Sequence, residues 1–311
     1  MSDRTEVGIA LNDDFLEATP NDRRALLSGM ESAGLDHLTV GDHISFHGGQ
    51  GFDGFVAATA ALATSDKLKV LMGVYLAGLR HPLATARQMA TLSQIAPGRL
   101  TLGVGVGGED RLEIENMGID PATRGRRVDE VLGLLRRLGT GELVDHQGEF
   151  FELNGASVIP APSQRVPIVI GGGGDVAVRR TIANGDGWLG MWCSARRYAA
   201  THQQIVDGMA EAGRHGPEFA GLSIWVGLGT NANTARAALG ERMSSLYNMP
   251  PEKFQHITAA GTPDDVADFI APYIEGGART ITLIPVAESA AAAVELSGGV
   301  RDRLLSLVPV S

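Results

Sequence analysis

Short apolar segments alternate with longer segments of helical periodicity along almost the whole chain. The apolar segments are rich in β-branched residues and contain few polar positions, which is typical of parallel strands buried on both faces. The predicted strands are Val7–Leu11, His37–Gly41, Lys69–Tyr75, Leu100–Gly105, Ile168–Ile170, Gly187–Met191, Leu222–Leu228 and Thr280–Pro285.

Helices are predicted between these strands, and regular alternation of strands and helices indicates a parallel sheet. Eight strand–helix units in 311 residues match the size of a (β/α)8 TIM barrel, which we predict as a single domain over residues 1–311. A doubly wound open sheet is the alternative. The predicted helices are Asn21–Ala33, Phe55–Thr64, Pro82–Ile95, Glu109–Met117, Arg124–Leu138, Asp175–Asn184, Arg196–Ala212, Thr234–Leu246, Thr262–Glu275 and Glu288–Leu307.

The segment Gly139–Val166 interrupts this alternation. It is rich in glycine and proline and contains short β-prone pieces such as Glu149–Leu153. We therefore expect an insertion of small β-hairpin character after helix 4 of the barrel. Its apolar pair Phe150-Phe151 suggests that it covers the mouth of the barrel or contributes to a dimer surface.

Composition narrows the class of protein. The net charge of −10 argues against nucleic acid as a partner, and no apolar run approaches the roughly 20 residues of a membrane span. Cys193 is the only cysteine, which excludes an internal disulfide and fits a reducing compartment. The polar amino-terminal residues show no signal peptide. We expect a cytoplasmic protein that binds neither nucleic acid nor membrane.

Four consecutive glycines, Gly171–Gly174, separate the fifth strand from a helix that begins at Asp175. Glycines at such a junction let backbone N–H groups approach an anion, and the helix N-terminus adds a partial positive charge. We interpret the segment as a phosphate-binding loop. A tight turn without a ligand is the alternative, and the carboxylate of Asp175 would repel a phosphate unless it only caps the helix.

Polar residues also follow other strands, at the end where a barrel carries its active site. Asp42 and His43 follow the second strand, and His43 is suited to donate a hydrogen bond or to move a proton. Glu109 follows the fourth strand and is either a catalytic acid or a helix N-terminal acid. No metal-binding spacing of histidines or cysteines is present.

Gly103, Gly105 and Gly108 match the pattern G-x-G-x-x-G. A dinucleotide-binding fingerprint also needs an acidic residue about 20 positions later, at the end of the next strand. Asp129 and Glu130 stand at that distance but lie in a helical pattern. We therefore interpret these glycines as a flat surface against which a planar ring can lie.

Several blocks together resemble a known family. They are SAGLDHLTVGDH, LRHPLATARQMATLSQIAPGRLTLGVGVG, GIDPATRGRRVDEVLGLLRRL, PIVIGGGG with GDGW, and GTPDDVADFI with GGARTITL. In this order they resemble the bacterial luciferase-like superfamily of (β/α)8 enzymes, over nearly the whole chain. The resemblance implies FMN in monooxygenases or the deazaflavin coenzyme F420 in hydride-transfer enzymes.

The resemblance also implies roles for residues of this chain. It places His43, with Asp42, near the reactive ring of the cofactor, and it makes Glu109 a doubtful catalytic acid because Gly108 stands where relatives carry Glu or Trp. It implies a non-prolyl cis peptide at Gly73-Val74 behind the ring. The expected cofactor-binding residues are Gly73, Val74, Gly105, Val106, Gly107, Gly108, Gly172, Gly173, Gly174, Asp175 and Val176.

Three functions follow from the resemblance. The first is an F420-dependent oxidoreductase that transfers hydride to or from a small organic substrate. The second is an FMN-dependent monooxygenase that uses O2 and reduced flavin from a partner flavin reductase. The third is a protein that binds the cofactor without turnover. For each of them we expect a homodimer.

Overall fold

The computed structural model describes residues 4–247 and 249–307. The strands of this part of the chain are β1 (Glu6–Ala10), β2 (His37–Val40), β3 (Lys69–Tyr75), β4 (Leu100–Val104), β5 (Val144–Gln147), β6 (Glu152–Ala156), β7 (Ile168–Gly171), β8 (Gly187–Gly190), β9 (Phe219–Leu228), β10 (Ala259–Gly261) and β11 (Thr280–Val286). The α-helices are α1 (Asn12–Leu16), α2 (Pro20–Ser32), α3 (Gly54–Thr64), α4 (Pro82–Ile95), α5 (Arg111–Asn116), α6 (Arg124–Leu138), α7 (Asp175–Asn184), α8 (Ala195–Glu211), α9 (Ala232–Tyr247), α10 (Pro263–Glu275) and α11 (Ala290–Leu307).

Eight parallel strands close into a barrel in the order β1, β2, β3, β4, β7, β8, β9 and β11. β11 pairs back onto β1, with Val7 opposite Ile281, which closes the ring. The helices surround the barrel, and β10 pairs in parallel with the end of β9. The predicted (β/α)8 TIM barrel is therefore confirmed.

The element boundaries differ from the prediction at a few places. β9 begins at Phe219 rather than Leu222, and β10 was not predicted. α5 begins at Arg111 rather than Glu109, because the side chain of Asp110 caps the helix by accepting a hydrogen bond from the Leu112 N–H at 2.9 Å. The helix therefore begins two residues later than predicted.

Residues along the barrel strands face two different environments. Val70 and Met72 of β3 belong to the large apolar core between the barrel and its helices. Leu71, together with Val169 and Leu189 from β7 and β8, forms a separate buried cluster. Neighbouring residues of a strand point to opposite faces, so this second cluster fills the interior of the barrel.

Polar residues occupy the interior near the amino-terminal end of the strands. His37, at the start of β2, is buried, and its Nε2 lies 2.9 Å from the Thr282 hydroxyl, which lies 2.9 Å from the Thr39 hydroxyl. Burial lowers the pKa of His37 to about 4, with a smaller opposing effect of Glu6 and a small lowering effect of Lys69. The ring is therefore a neutral core residue near pH 7.

The insertion between α6 and β7 contains the antiparallel pair β5 and β6. Glu130 of α6 anchors it by accepting hydrogen bonds from His146 Nε2 at 2.8 Å and from the backbone N–H groups of Phe150 and Phe151 at 3.0 Å each. The Arg127 guanidinium lies over both phenyl rings, 5.1 and 4.8 Å from their centroids. The insertion therefore packs on the flank of the barrel formed by α6.

Among the described residues, no helix combines the length and the apolar character needed to cross a membrane.

Candidate active site

His43 lies in the loop after β2 and is paired with a carboxylate from α5. Its Nδ1 lies 3.1 Å from Oε2 of Glu113, which is only 3 % exposed and also accepts hydrogen bonds from the backbone N–H groups of Ile44 and Ser45 at 2.7 and 3.1 Å. The imidazole packs against Phe46 with ring centroids 4.2 Å apart. The loop and the helix together hold the ring in one orientation.

The pairing decides which ring nitrogen of His43 is available. A carboxylate accepts hydrogen bonds, so Nδ1 is the donor toward Glu113. Within the described part of the chain Nε2 has no hydrogen-bond partner, and the side chain is 37 % exposed. His43 therefore offers Nε2 to a molecule in the mouth of the barrel, as an acceptor when neutral and as a donor when protonated.

Asp42 has a different environment from the one expected of a proton-transfer group. It is 2 % exposed, and its carboxylate accepts from the Gly54 and Leu76 backbone N–H groups at 2.9 Å each and from Arg80 at 2.7 and 2.8 Å. Burial alone would lower the pKa of Arg80, and the Asp42 carboxylate raises it overall. The geometry gives Asp42 a positioning role: it fixes the loop that carries His43 against the end of β3.

The acidic residues that follow β4 differ in whether they reach His43. Glu109 is exposed, and within the described residues no hydrogen bond or ion pair joins it to His43. Asp110 accepts from the His47 backbone N–H at 2.8 Å and caps α5, and that hydrogen bond lowers the pKa of Asp110. The residue that reaches His43 is Glu113, which sequence reasoning missed because Glu113 and Glu115 look equivalent in the helix.

The peptide bond Gly73-Val74 is cis, as the resemblance implied. A Cβ atom added at Gly105 would lie 2.4 Å from Val74 Cγ2, and one at Gly171 would lie 2.6 Å from Val74 Cγ1. A Cβ at Gly103 would lie 2.1 Å from the Met72 carbonyl oxygen. Gly105, directly after β4, and Gly171 of β7 therefore make room for Val74, which stands half-buried at the mouth of the barrel, whereas Gly103 makes room for the Met72 carbonyl.

The turn after β4 continues in a backbone conformation that favours glycine. Gly107 and Gly108 have φ values of +66° and +121°, and a Cβ at Gly108 would lie 3.0 Å from Arg124 Nε. Val106 is half-buried and packs against the main core. The turn thus brings backbone rather than side chains to the mouth of the barrel.

The glycine loop after β7 is open and exposes backbone. Gly172 and Gly174 have φ values of +110° and +83°, and a Cβ added at Gly173 or Gly174 would meet nothing within 4 Å. The Trp188 indole N–H donates to the Gly172 carbonyl at 2.7 Å, which fixes the loop against β8. The loop is therefore anchored at its start and free of side chains at its tip.

This loop meets the requirements of a phosphate. Gly174 is the N-cap of α7 and provides no side-chain acceptor, so the first N–H groups of the helix have no partner within it. Asp175 and Val176 are exposed beside them. Unshielded N–H groups at the N-terminus of a ten-residue helix suit the phosphate of a flavin or deazaflavin.

An aromatic wall, defined as Trp192, Tyr247 and Phe254, lies beyond the carboxyl ends of β8 and β9. The Trp192 ring packs edge-to-face on Tyr247 at 4.9 Å and lies 5.4 Å from Phe254. Trp225 of β9 supports Tyr247 from below at 6.2 Å. The three rings come from separate parts of the chain, so no local sequence pattern could reveal the wall.

Within residues 4–247 and 249–307, no group of three or more His, Cys, Asp or Glu side chains is arranged to hold a metal ion. The site therefore consists of the His43–Glu113 pair, Val74 with its surrounding glycines, the glycine loop and the aromatic wall.

Comparisons with known proteins place the chain. A relative from Rhodococcus hoagii, an F420-dependent glucose-6-phosphate dehydrogenase, is 33 % identical over 284 residues, which cover 79 % of this chain and 82 % of the relative. An uncharacterised protein of Mycobacterium tuberculosis is 32 % identical over 183 residues, or 53 % of this chain, and the match spans 63 % of that protein.

Among solved structures, an F420-dependent secondary alcohol dehydrogenase in complex with an F420–acetone adduct has a TM-score of 0.85 at 19 % identity. The superposition covers 97 % of this chain and 99 % of that one, which shows a shared fold. The family model described as luciferase-like monooxygenase matches residues 5–280. The chain belongs to the luciferase-like monooxygenase family.

Proposed function

We propose that this protein is an F420-dependent oxidoreductase that transfers hydride between the deazaflavin and a small organic substrate. The observation that carries the proposal is the arrangement of one mouth of the barrel: an anchored, open glycine loop, a half-buried Val74 and a histidine whose Nε2 is free. The F420 dependence of the Rhodococcus hoagii relative supports the choice of cofactor.

The residues would divide the work as follows. The N–H groups at Gly173, Gly174 and the start of α7 would hold the cofactor phosphate, and Val74 would lie behind the ring. When bound, the deazaflavin supplies the carbon that accepts or donates hydride, and the protein supplies position and electrostatics. Its glycine-lined turn after β4 would let the ring approach the backbone.

His43 would bind the reacting oxygen of the substrate through Nε2. For oxidation of an alcohol, neutral His43 would accept the hydroxyl proton; for reduction of a carbonyl, protonated His43 would donate it. Glu113 would hold the ring by Nδ1, and the Asp42–Arg80 pair would hold the loop. His43 is thus the one residue of these four that would touch substrate.

An FMN-dependent monooxygenase is the second candidate, because the matching family model is described as luciferase-like monooxygenase. It would use the same glycine loop for the FMN phosphate and would need reduced flavin from a partner reductase. A non-catalytic cofactor-binding protein is the third candidate. The homodimer, the cytoplasmic location and the mouth-covering or dimer role of the insertion also stay predictions.

Cofactor titration tests the proposal. Trp188 is hydrogen-bonded to the glycine loop, so its fluorescence should report cofactor binding. We expect F420 to quench this fluorescence at a lower concentration than FMN does. The Trp192→Phe variant should retain this quenching, because Trp192 lies in the aromatic wall. Tight binding of FMN without binding of F420 would favour the monooxygenase, and binding of neither would overturn both enzyme assignments.

A further inference from the structure

Trp192 differs from the other tryptophans of the chain in its exposure. Trp188 and Trp225 are 3 % and 8 % exposed, whereas Trp192 is 38 % exposed although two aromatic rings pack against it. Its φ of +58° is a left-handed conformation that a bulky side chain rarely adopts. The surrounding structure therefore holds a large apolar ring partly in solvent at the mouth of the barrel.

The wall around Trp192 is rigid. Phe254 belongs to a buried cluster with Trp225, Leu239 and Met243. Tyr247 packs against this cluster, with its ring centroid 6.0 Å from that of Phe254. Unfavourable backbone conformations persist where the surroundings enforce them, and they concentrate at functional sites. A supported, exposed and flat ring is the form of a stacking surface for another flat group.

The aromatic wall lies across the mouth of the barrel from His43, because β8, which precedes Trp192, and β2, which precedes His43, are four positions apart in the ring of eight strands. Burial raises the pKa of Tyr247 to about 12, and the carboxylate of Glu109 contributes to this rise, which places Glu109 near the wall. Glu109 lies in the turn that leads from β4 to α5, the helix that carries Glu113. One side of the mouth therefore offers the His43 Nε2 and carboxylates, and the other offers aromatic surface.

We propose that the substrate carries an aromatic or similarly flat apolar group, which stacks on Trp192 while its alcohol or carbonyl oxygen meets His43. The proposal rests on the proposed function and specifies the substrate class of that site. An anionic substrate would be disfavoured, because the exposed carboxylate of Glu109 follows β4 at the same mouth. The class therefore differs from the sugar phosphate named for the Rhodococcus hoagii relative.

Paired probes isolate the contribution of the ring. We would measure binding of 1-phenylethanol, 2-propanol and glucose 6-phosphate to the F420-loaded protein by isothermal titration calorimetry. The two alcohols share a secondary carbinol and differ by a phenyl group. We expect 1-phenylethanol to bind at least about tenfold more tightly than 2-propanol, which corresponds to about 1.4 kcal/mol, and glucose 6-phosphate to bind more weakly than 1-phenylethanol.

Substitutions then assign the effect to Trp192. Trp192→Ala should weaken 1-phenylethanol binding about tenfold and leave 2-propanol and F420 binding unchanged, whereas Trp192→Phe should retain most of the affinity. Leu143→Ala is the matched control, since Leu143 is an exposed apolar side chain, 74 % exposed, in the insertion. If Trp192→Ala fails to fold, Trp192→Phe and Tyr247→Leu supply the same comparison with smaller expected losses.

Equal binding of the two alcohols, or an unchanged 1-phenylethanol affinity in folded Trp192→Ala, would overturn the proposal. So would a stable dimer in solution that buries Trp192, because the ring would then serve an interface. Failure of the proposed function gives a different result, the absence of F420 binding before any alcohol is added.

Discussion

β2 begins with one histidine, and a second histidine lies in the loop that follows it. The two rings have opposite environments. His37, at the amino-terminal end, is 2 % exposed and bonded to a threonine hydroxyl, so it is neutral near pH 7. His43, beyond the carboxyl-terminal end, is paired with Glu113 and exposes Nε2. The comparison teaches that the position of a residue along the barrel axis, rather than its type, decides whether it contributes to stability or to catalysis in this fold.

Removing the histidine of the mouth is the strongest way to test this separation. His43→Ala should lower kcat/KM by about 10²- to 10⁴-fold, the usual contribution of a positioned acid or base. Because His43 is partly exposed, the free energy of unfolding should change little. Steady-state kinetics together with urea unfolding check both expectations, and a large loss of stability with intact activity would reverse the two roles.

The histidine of the barrel interior should instead control stability through pH. The unfolded chain binds a proton at His37 near pH 6.5, whereas the folded chain does so near pH 4. The contribution of His37 is therefore complete above pH 6.5 and is lost as the pH falls toward 4, by up to about 3 kcal/mol.

Urea unfolding of the wild type and of His37→Gln at pH 7 and pH 5 measures this contribution. Glutamine retains a hydrogen bond to Thr282 but does not titrate, so the variant should lose less stability between the two pH values. An equal loss of unfolding free energy between pH 7 and pH 5 in the two proteins would show that His37 does not titrate as its burial implies. The His37→Gln substitution should leave the activity of the folded protein unchanged.

Two glycines with positive φ, one in the glycine loop and one far from it, sharpen the contrast between the two ends of the barrel. Gly174 lies in the glycine loop with φ of +83°, and Gly213 lies at the far end of α8 with φ of +68°; a Cβ at either meets nothing within 4 Å. Gly174→Glu should weaken F420 binding about ten- to a hundredfold through lost hydrogen bonds and added negative charge. Gly213→Glu adds the same charge at another positive-φ glycine with open space around it and should leave affinity unchanged.

Asp175→Asn completes the titration series. It should raise the affinity for F420 if the carboxylate faces the phosphate and should change nothing if the carboxylate only lies at the start of α7. Equal losses in Gly174→Glu and Gly213→Glu would mean that the glycine loop does not bind the cofactor.

The smallest effect is expected from a change of one atom beside His43. In Glu113→Gln the side-chain oxygen can still accept from Ile44 and Ser45, which leaves the amide N–H group facing Nδ1 of His43. The ring would then carry its proton on Nε2, and kcat should fall about tenfold. Nitrogen-15 NMR of the imidazole reads the tautomer directly, and an unchanged tautomer would contradict the positioning role of Glu113.

Local patterns were sufficient for the fold and for part of the site. The buried strands can be recognised from a few consecutive residues, and the glycine loop stands out between a strand and a helix. Asp42 and Glu109 could be placed at strand ends by the same reasoning. Their burial and exposure could not, because the partner of Asp42 is Arg80, 38 residues away.

The remaining parts of the site depend on contacts between distant loops. Glu113 reaches His43 across 70 residues, and it differs from Glu115 only in that its side chain turns toward the barrel. The aromatic wall joins residues 192, 247 and 254. Closure of the ring of strands brings these distant residues together, so their contacts cannot be predicted from local sequence.

The packing around Val74 has a consequence for protein engineering. The glycines at 105 and 171 are forbidden to alanine by the branches of one side chain, and a Cβ at Gly171 would lie 3.7 Å from the Val74 Cβ, an ordinary contact distance. Val74→Ala would therefore release Gly171, whereas Gly103 would stay blocked by a backbone oxygen. A combinatorial library that varies these positions one at a time would record each as intolerant, whereas paired changes at 74 and 171 would reshape the surface at the mouth of the barrel.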